Sequence, residues 1–361
     1  MGKRRDNGRW QVRYRDPAGR QRSQDFVRKG DADRFRAGVE TDVSRGAWID
    51  PRGGEQTFGD WAQQWFVMRE PAVRATTYAA QSSVYASLIE PALAKQRLGS
   101  ISQPTVQAWV IGLTTQRGVA PGTARKAYQV LGAILAAAVD AEQIVKTPCR
   151  GIILPADDRR EMHFITPAQV ATLAATIDAR YRVLVLVGAY GGLRVGEMGA
   201  LRRSGVQLPR GVVRVEETLA EIAGKVAFQP PKTKASRRAV VLPKVVAAAL
   251  EEHLTRYAPG GPRDLVFRSP EGGPMRLASW RRRFWLPAVA RAGLDGFRIH
   301  DLRHTAVALW IATGANPKQV STRAGHTSVS FTFDRYGHLF EDADETLAGL
   351  LNAVYDPGEP N

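Results

Sequence analysis

Twice along its 361 residues the chain interrupts its apolar periodicity with proline, glycine and charge, at 46–56 and again at 145–161. The first break holds Asp50-Pro51-Arg52-Gly53-Gly54; the second holds Pro148, Gly151, Pro155 and the cluster Asp157-Asp158-Arg159-Arg160. Proline fixes φ and withholds a backbone donor, and glycine loosens the backbone, so neither stretch extends a regular element from one side to the other. The length also exceeds the roughly 100 to 200 residues one domain usually spans. A single core is excluded. The expected division is a small module with its linker over 1–55, a helical block over 56–145, a connection over 146–160 and a last domain over 161–361.

The opening thirty residues carry ten basic and three acidic side chains. Trp10, Val12 and Tyr14 alternate with Arg9, Arg13 and Arg15 at the period of a strand. Asp16-Pro17-Ala18-Gly19 turns the chain, a second basic strand is expected near Gln21 to Phe26, and Phe35, Val39 and Val43 space a helix over Asp31 to Arg45. This is a basic ββα module. A two-stranded ribbon of this charge fits a DNA major groove, although a basic edge hairpin that only aids solubility has the same pattern.

Between the breaks the periodicity predicts four helices, Phe58 to Arg69, Thr76 to about Ala94, Pro104 to Leu113 and Pro121 to Glu142, with boundaries at Thr57 and Gln103 and first-turn prolines at Pro104 and Pro121. Val130, Ile134, Leu135 and Ala138 share one face of the last of these, a core stripe. The block is all-α. Beyond the second break Thr166-Pro167 opens a helix, Val183 to Val187 is a buried apolar run, and Val212 to Arg238 reads as a small antiparallel sheet. Helices follow near Lys244 to Arg256, Ser279 to Ala292, His300 to Thr313 and Pro317 to Ala324. The fold class is a multidomain chain ending in a mostly helical α+β domain.

Lys and Arg number 51 against 35 Asp and Glu, a net charge of +16 that favours a polyanionic partner. Nucleic acid leads over an acidic membrane, because no run of about 18 apolar residues and no apolar leader occur. The single cysteine, Cys149, excludes an intrachain disulfide and any multi-cysteine zinc site and suits a reducing, cytoplasmic setting. No G-x-x-x-x-G-K-[ST] loop is present, which argues against a nucleotide-driven helicase or ligase of that class.

The chemistry-bearing residues are dispersed: Gly192-Leu193-Arg194-Val195-Gly196-Glu197, Lys232-Thr233-Lys234, His300-Asp301-Leu302-Arg303-His304, Gly325-His326 and Tyr336. Each alone is weak, since an Arg three residues before a Glu is usually an ordinary helical ion pair, and a His one turn from an Arg is commonly a surface feature. In order and spacing, however, they resemble the tyrosine recombinase (phage integrase) family, whose pattern is an Arg, a hairpin Lys, His-x-x-Arg, Gly-His and then a Tyr about ten residues on. The specific motifs cover about Thr166 to Phe340. The four-helix block is similar to the family's core-binding domain and the basic start to its arm-binding modules.

The resemblance implies DNA strand transfer through a 3'-phosphotyrosyl bond, reversible without ATP because the ester is close in energy to a phosphodiester. Tyr336 would be the nucleophile. Arg194 and Arg303 would present planar forks of N–H donors to the non-bridging phosphate oxygens. His326 would hydrogen-bond the phosphate, His300 would assist proton transfer, and Lys232, with Lys234 as its rival, would protonate the departing 5'-oxygen. Glu197 reads as a brace for Arg194 and Asp301 as structural. Ala324 departs from the larger aliphatic residue the family usually places before Gly-His. No cofactor and no metal are expected: His300 and His304 are four apart, with His326 and His338 following, but no H-E-x-x-H pattern accompanies them.

The expected partners are double-stranded DNA attachment sites, a homo-tetramer on that DNA, and an accessory protein that bends DNA or sets direction. Arg281-Arg282-Arg283 suits either phosphate contact or an exposed helix side. Leu347, Leu350, Leu351 and Val354 space a terminal helix that would pack on its own domain or on a neighbour. The alternatives are a non-catalytic DNA-binding regulator, which should have lost Tyr336 or an arginine, and a type IB topoisomerase, against which the basic ribbon and separate helical block weigh.

Overall fold

The computed structural model describes residues 3–340, apart from 18, 45–47, 49, 157–161, 223 and 232, together with 348, 349, 351 and 352. The chain forms two compact units, Met1–Arg159 and Arg160–Asn361, mostly helical with small antiparallel sheets. Among the described residues no helix is long and apolar enough to cross a membrane.

The first unit opens with an antiparallel sheet, β1 (Lys3–Arg4), β2 (Trp10–Arg15) and β3 (Gln21–Phe26), and helix α1 (Lys29–Ser44) packs on it. In β2 Val12 is buried and Arg13 lies in solvent, and the neighbouring Gln11 is buried as well. Phe35 of α1 meets Tyr14 edge-on at 5.6 Å and Phe26 at 5.1 Å. Strand β1 is an addition to the expected ribbon; a pair of basic residues has too little pattern to announce it.

Next come α2 (Phe58–Arg69), α3 (Ala75–Val84), α4 (Glu90–Leu93), α5 (Gln103–Thr115) and α6 (Pro121–Asp140). Thr57 caps α2 by accepting from the Asp60 backbone N–H. The cap of α5 is Ser102, which accepts from the Thr105 N–H, so that helix starts one residue earlier than Pro104 suggests. Val130, Ile134, Leu135 and Ala138 of α6 are buried, as their spacing predicts.

The run expected from Thr76 to Ala94 is not one regular helix, because α3 passes into α4 through a π turn at Tyr85–Ile89. The same departure recurs in the second unit, where α11 (Leu277–Trp280) passes into α12 (Leu286–Arg291) through a π turn at Arg281–Trp285. In each case a proline, Pro91 or Pro287, stands two residues past the turn. Its ring clashes with the carbonyl four residues back in a regular helix, and a widened turn makes the room. Arg281, Arg282 and Arg283 all lie exposed on that turn.

The second unit is organised about α8 (Arg182–Gly191), which α7 (Pro167–Thr176), α10 (Lys244–Arg256) and α13 (Asp301–Ala312) surround. That enclosure explains why Val183 to Val187 reads as apolar without a polar face. A capping box between Thr166 and Gln169 starts α7. The single sheet expected over Val212 to Arg238 is two sheets. Strands β4 (Val206–Gln207), β5 (Val212–Val215) and β8 (Arg238–Val241) form one, and the hairpin β6 (Thr218–Ile222) and β7 (Lys225–Gln229) forms the other. The hairpin leaves β5 because β6 packs against α9 (Val195–Ala200), and β8 then returns to pair Val240 with Val213. After α13 come α14 (Pro317–Ala324) and α15 (Val329–Tyr336), and a 3-10 turn at Gly337–Phe340 follows them.

Candidate active site

Four chain segments bring the dispersed residues together. α8 ends at Gly192, whose φ of 67° is left-handed, and a Cβ there would lie 2.5 Å from the Trp310 ring. Glycine is thus required both by conformation and by the close approach of α13. The sharp ending places Arg194 at the N-terminus of α9. Glu197, one turn on, receives the Arg194 backbone N–H at 2.9 Å on one carboxylate oxygen and its guanidinium at 2.8 Å on the other.

Glu197 also receives the guanidinium of Arg238, from the start of β8, at 3.1 and 2.9 Å. Burial pulls the Glu197 carboxyl upward, but the hydrogen bonds and charges of Arg238 and Arg194 outweigh it and hold the group below its ordinary range. The brace expected of Glu197 is present, with a second arginine, Arg238, that the sequence motifs do not contain.

Arg303 projects from the first turn of α13 and is buried, 3% exposed. It donates to the Gly192 carbonyl at 2.7 Å and, through a second nitrogen, to the Ala324 carbonyl. Burial and the neighbouring Arg194 and Arg238 lower it to about 9, which leaves it protonated near neutral pH. Arg194, Arg238 and Arg303 therefore stand against the one Glu197 carboxylate, an excess of two positive charges suited to an anion. Asp301 is wholly buried and holds the Arg298 side chain and backbone, as a structural role predicts.

A capping box at Asn316 and Gln319 starts α14, and Gly325, with φ of 68°, ends it in the left-handed region. That ending presents His326, buried, with Nδ1 2.8 Å from the Thr332 hydroxyl. Burial first, then Arg303 and Arg194, push His326 down to about 3, so the imidazole is neutral. Its ring stacks on that of Tyr336, 8° from parallel with centroids 6.1 Å apart. The small Ala324 is fully buried, and its carbonyl serves Arg303.

Tyr336 ends α15 and is 2% exposed. Its hydroxyl lies 2.7 Å from Nδ1 of His304. Burial raises the phenol, with Arg303, Arg335 and Arg194 acting in the opposite sense. His300, in contrast, is exposed, and its ring meets His304 edge-on at 4.9 Å; partial desolvation, Arg303 and Arg194 keep it below the ordinary imidazole range.

Of the expected residues, Arg194, His300, Arg303, His326 and Tyr336 gather in this one unit. Lys232 lies outside the described residues, as do Leu347, Leu350 and Val354 of the expected terminal helix. The backbone of Lys234 forms part of a 3-10 turn that precedes β8. Among the described residues no three His, Cys, Asp or Glu side chains gather into a metal-holding group. His304 enters the site as the partner of the tyrosine.

Comparison with known proteins gives the family. The profile of the phage integrase family matches residues 163–342, and that of the phage integrase N-terminal SAM-like domain matches 57–113. The putative prophage phiRv2 integrase of Mycobacterium tuberculosis H37Rv is 29% identical, over 98% of this chain and 95% of the relative. The integrase of Mycobacterium phage L5 is 27% identical, over 96% and 95%. Among solved structures, the Tn1549 transposon integrase in complex with a circular intermediate DNA matches with a TM-score of 0.71 at 19% identity, over 82% of this chain and 99% of that one. A lambda integrase tetramer bound to a Holliday junction matches with a TM-score of 0.59 at 16% identity, over 90% and 94%. The chain belongs to the phage integrase family, the tyrosine recombinases. It is a tyrosine-type site-specific recombinase of a mobile element.

Proposed function

We propose that Tyr336 is the nucleophile, attacking a phosphodiester of double-stranded attachment-site DNA to leave a 3'-phosphotyrosyl bond and a free 5'-hydroxyl. The observation that carries this is the phenol oxygen, hydrogen-bonded to an imidazole in the unit where Arg303 and Arg194 converge. Arg194 and Arg303 clamp the non-bridging oxygens and stabilise charge that redistributes in the transition state; losing one such donor typically costs about 10²–10³ in rate. His326, fixed through Thr332, donates from its other ring nitrogen to the phosphate. His300 stands exposed beside the pair and assists proton transfer. Lys232, by family resemblance, protonates the departing 5'-oxygen.

In the same reading, 1–55 is an arm-type DNA-binding module with its linker, 56–145 a core-binding domain, 146–160 a connection and 161–361 the catalytic domain with a terminal helix. The basic three-stranded sheet and the SAM-like match at 57–113 support these roles. The lambda integrase tetramer on a Holliday junction supports a homo-tetramer on DNA. An accessory protein that bends DNA or sets direction, and action in the cytoplasm of a bacterial host at its nucleoid, complete the proposal.

The test incubates wild-type protein and Tyr336→Phe with junction DNA flanking the protein's own gene, denatures the mixture and looks for protein covalently held on a 3'-phosphate. A Tyr336-dependent adduct is expected. Salt-sensitive binding with no adduct, even on nicked duplexes that trap the intermediate, refutes the proposal.

A further inference from the structure

Among the described residues, the side chain hydrogen-bonded to the phenol oxygen that must lose a proton is His304. The Oη to Nδ1 distance is 2.7 Å, with Tyr336 2% and His304 3% exposed. The other two histidines of the site, His326 and His300, are differently engaged. His326 lies face to face with the phenol ring and has its Nδ1 at Thr332. The His300 ring packs edge-on against His304.

The pairing follows from helix geometry. Arg303 and His304 are successive residues of α13, about 100° apart around its axis. One is carried to Gly192 and Ala324, the other to the end of α15. A single helix thereby delivers a phosphate ligand and a partner for the attacking oxygen.

We propose that His304 is the general base of strand cleavage, taking the phenolic proton of Tyr336 on Nδ1 as the phenol oxygen attacks phosphorus. This deepens the proposed function and rests on Tyr336 being the nucleophile. The Oη–P bond forms, the P–O5' bond breaks, the phenol proton moves to His304, and the 5'-oxygen takes a proton from a separate donor. Rejoining runs the same transfers backwards, with His304 returning its proton to the phenol.

The imidazole is in the state this requires. Burial first, then His300, with Arg335 and Arg298 acting in the same sense against Asp301, holds His304 down to about 4, so near neutral pH it is unprotonated and has a lone pair to offer. With its proton on Nε2, Nδ1 accepts from the phenol. The charged and titratable groups around the pair are His300, Asp301, Arg298, Arg335, His326, Arg303 and Arg194. An arriving phosphodiester adds negative charge nearby and shifts the imidazole upward, which strengthens it as a base once substrate is present.

The experiment measures single-turnover adduct formation by the full chain on nicked junction duplexes, with either a normal phosphodiester or a sulfur in the bridging 5' position, whose thiolate departs without a proton. His304→Ala and His304→Asn are compared with wild type. Asparagine keeps an acceptor near the Nδ1 position but cannot take a proton. Both variants are expected to retain DNA and to slow adduct formation by about 10²-fold or more, the usual scale for a general base, and the sulfur substrate should not recover the loss. In wild-type protein on the sulfur substrate the rate should fall on the acid side as one imidazole protonates.

Recovery by His304→Asn to within threefold of wild type overturns the proposal, since hydrogen bonding alone would then suffice. Recovery on the sulfur substrate also overturns it, because His304 would be acting on the leaving group. A faster adduct in either variant, or a wild-type rate with no acid limb, does the same. A Tyr336→Phe protein that still forms the adduct instead removes the nucleophile assignment beneath it, so the two failures are distinguishable.

Discussion

Replacing Glu197 with glutamine removes one charge and almost no volume, at the point where α9 is tied to β8. The Glu197 and Arg238 side chains are 3% and 5% exposed, so neither charge is solvated by water. Breaking a buried pair by removing one partner costs about 3–5 kcal/mol. The amide keeps one carbonyl oxygen, hence about half of the four bonds the carboxylate accepts from Arg194 and Arg238. Its NH2 group then faces donors. Arg194 adds little to the loss, because its side chain is 38% exposed and screened. Two retained bonds at roughly 1 kcal/mol each offset part of the upper figure, which leaves a destabilisation of about 3 kcal/mol. At about 1.4 kcal/mol per factor of ten, the unfolded fraction of the second unit rises roughly a hundredfold. Hydrogen exchange read by mass spectrometry on peptides from α8 and α13 isolates that unit from the first. Their slowest amides should exchange roughly a hundredfold faster in Glu197→Gln, and Arg238→Met added to it should recover part of the loss by removing the stranded charge. A change below about threefold would mean that the carboxylate does not neutralise Arg238 and would falsify the charge accounting given for the site.

The same carboxyl sets a pH dependence: its folded value is depressed, so its contribution is fully present above the unfolded value of about 4.3 and is lost as pH falls through the folded value. Denaturant titrations should show wild type losing stability in that acid range more steeply than Glu197→Gln; equal slopes refute the assignment. Arg303→Lys offers one nitrogen where Arg303 spans the Gly192 and Ala324 carbonyls, so cleavage should fall at least about 10²-fold while DNA retention, spread over many basic residues, changes little. An adduct rate within tenfold of wild type counts against it. Gly192→Ala forces a left-handed alanine and a Cβ 2.5 Å from Trp310, costs that together come to about 2–6 kcal/mol. Thermal unfolding checks it, and an unshifted transition would show that α13 gives way freely.

What was legible in the sequence divides by the range of the interaction. α2 and α14 lie where they are expected because their signals, Thr57 before an apolar run and Pro317 ahead of Gly325, sit within the helix or one residue from it. α9 and α15 span six and eight residues, too few for an apolar stripe to repeat. The division of the expected sheet depends on β6 meeting α9, a contact between segments with no shared local pattern. The site follows the same rule. Glu197 as a brace for Arg194 was readable at a spacing of three, but Arg238 is 41 residues from Glu197. His304 was visible only as a histidine near other histidines, because its partner Tyr336 is 32 residues away. Thr332, which fixes His326, carries no motif at all.

Arg303 joins the ends of α8 and α14 with the guanidinium proposed to grip phosphate. Tyr336→Phe, by comparison, would preserve the packing of the ring and forgo one hydrogen bond. The two residues therefore wear out differently under mutation. A lineage released from the need to cut DNA can drop the tyrosine hydroxyl at little cost to the fold, whereas it cannot drop Arg303 without loosening two helix ends. Decay of such a protein has an order, and a descendant that still folds is expected to keep its arginine long after its tyrosine has gone.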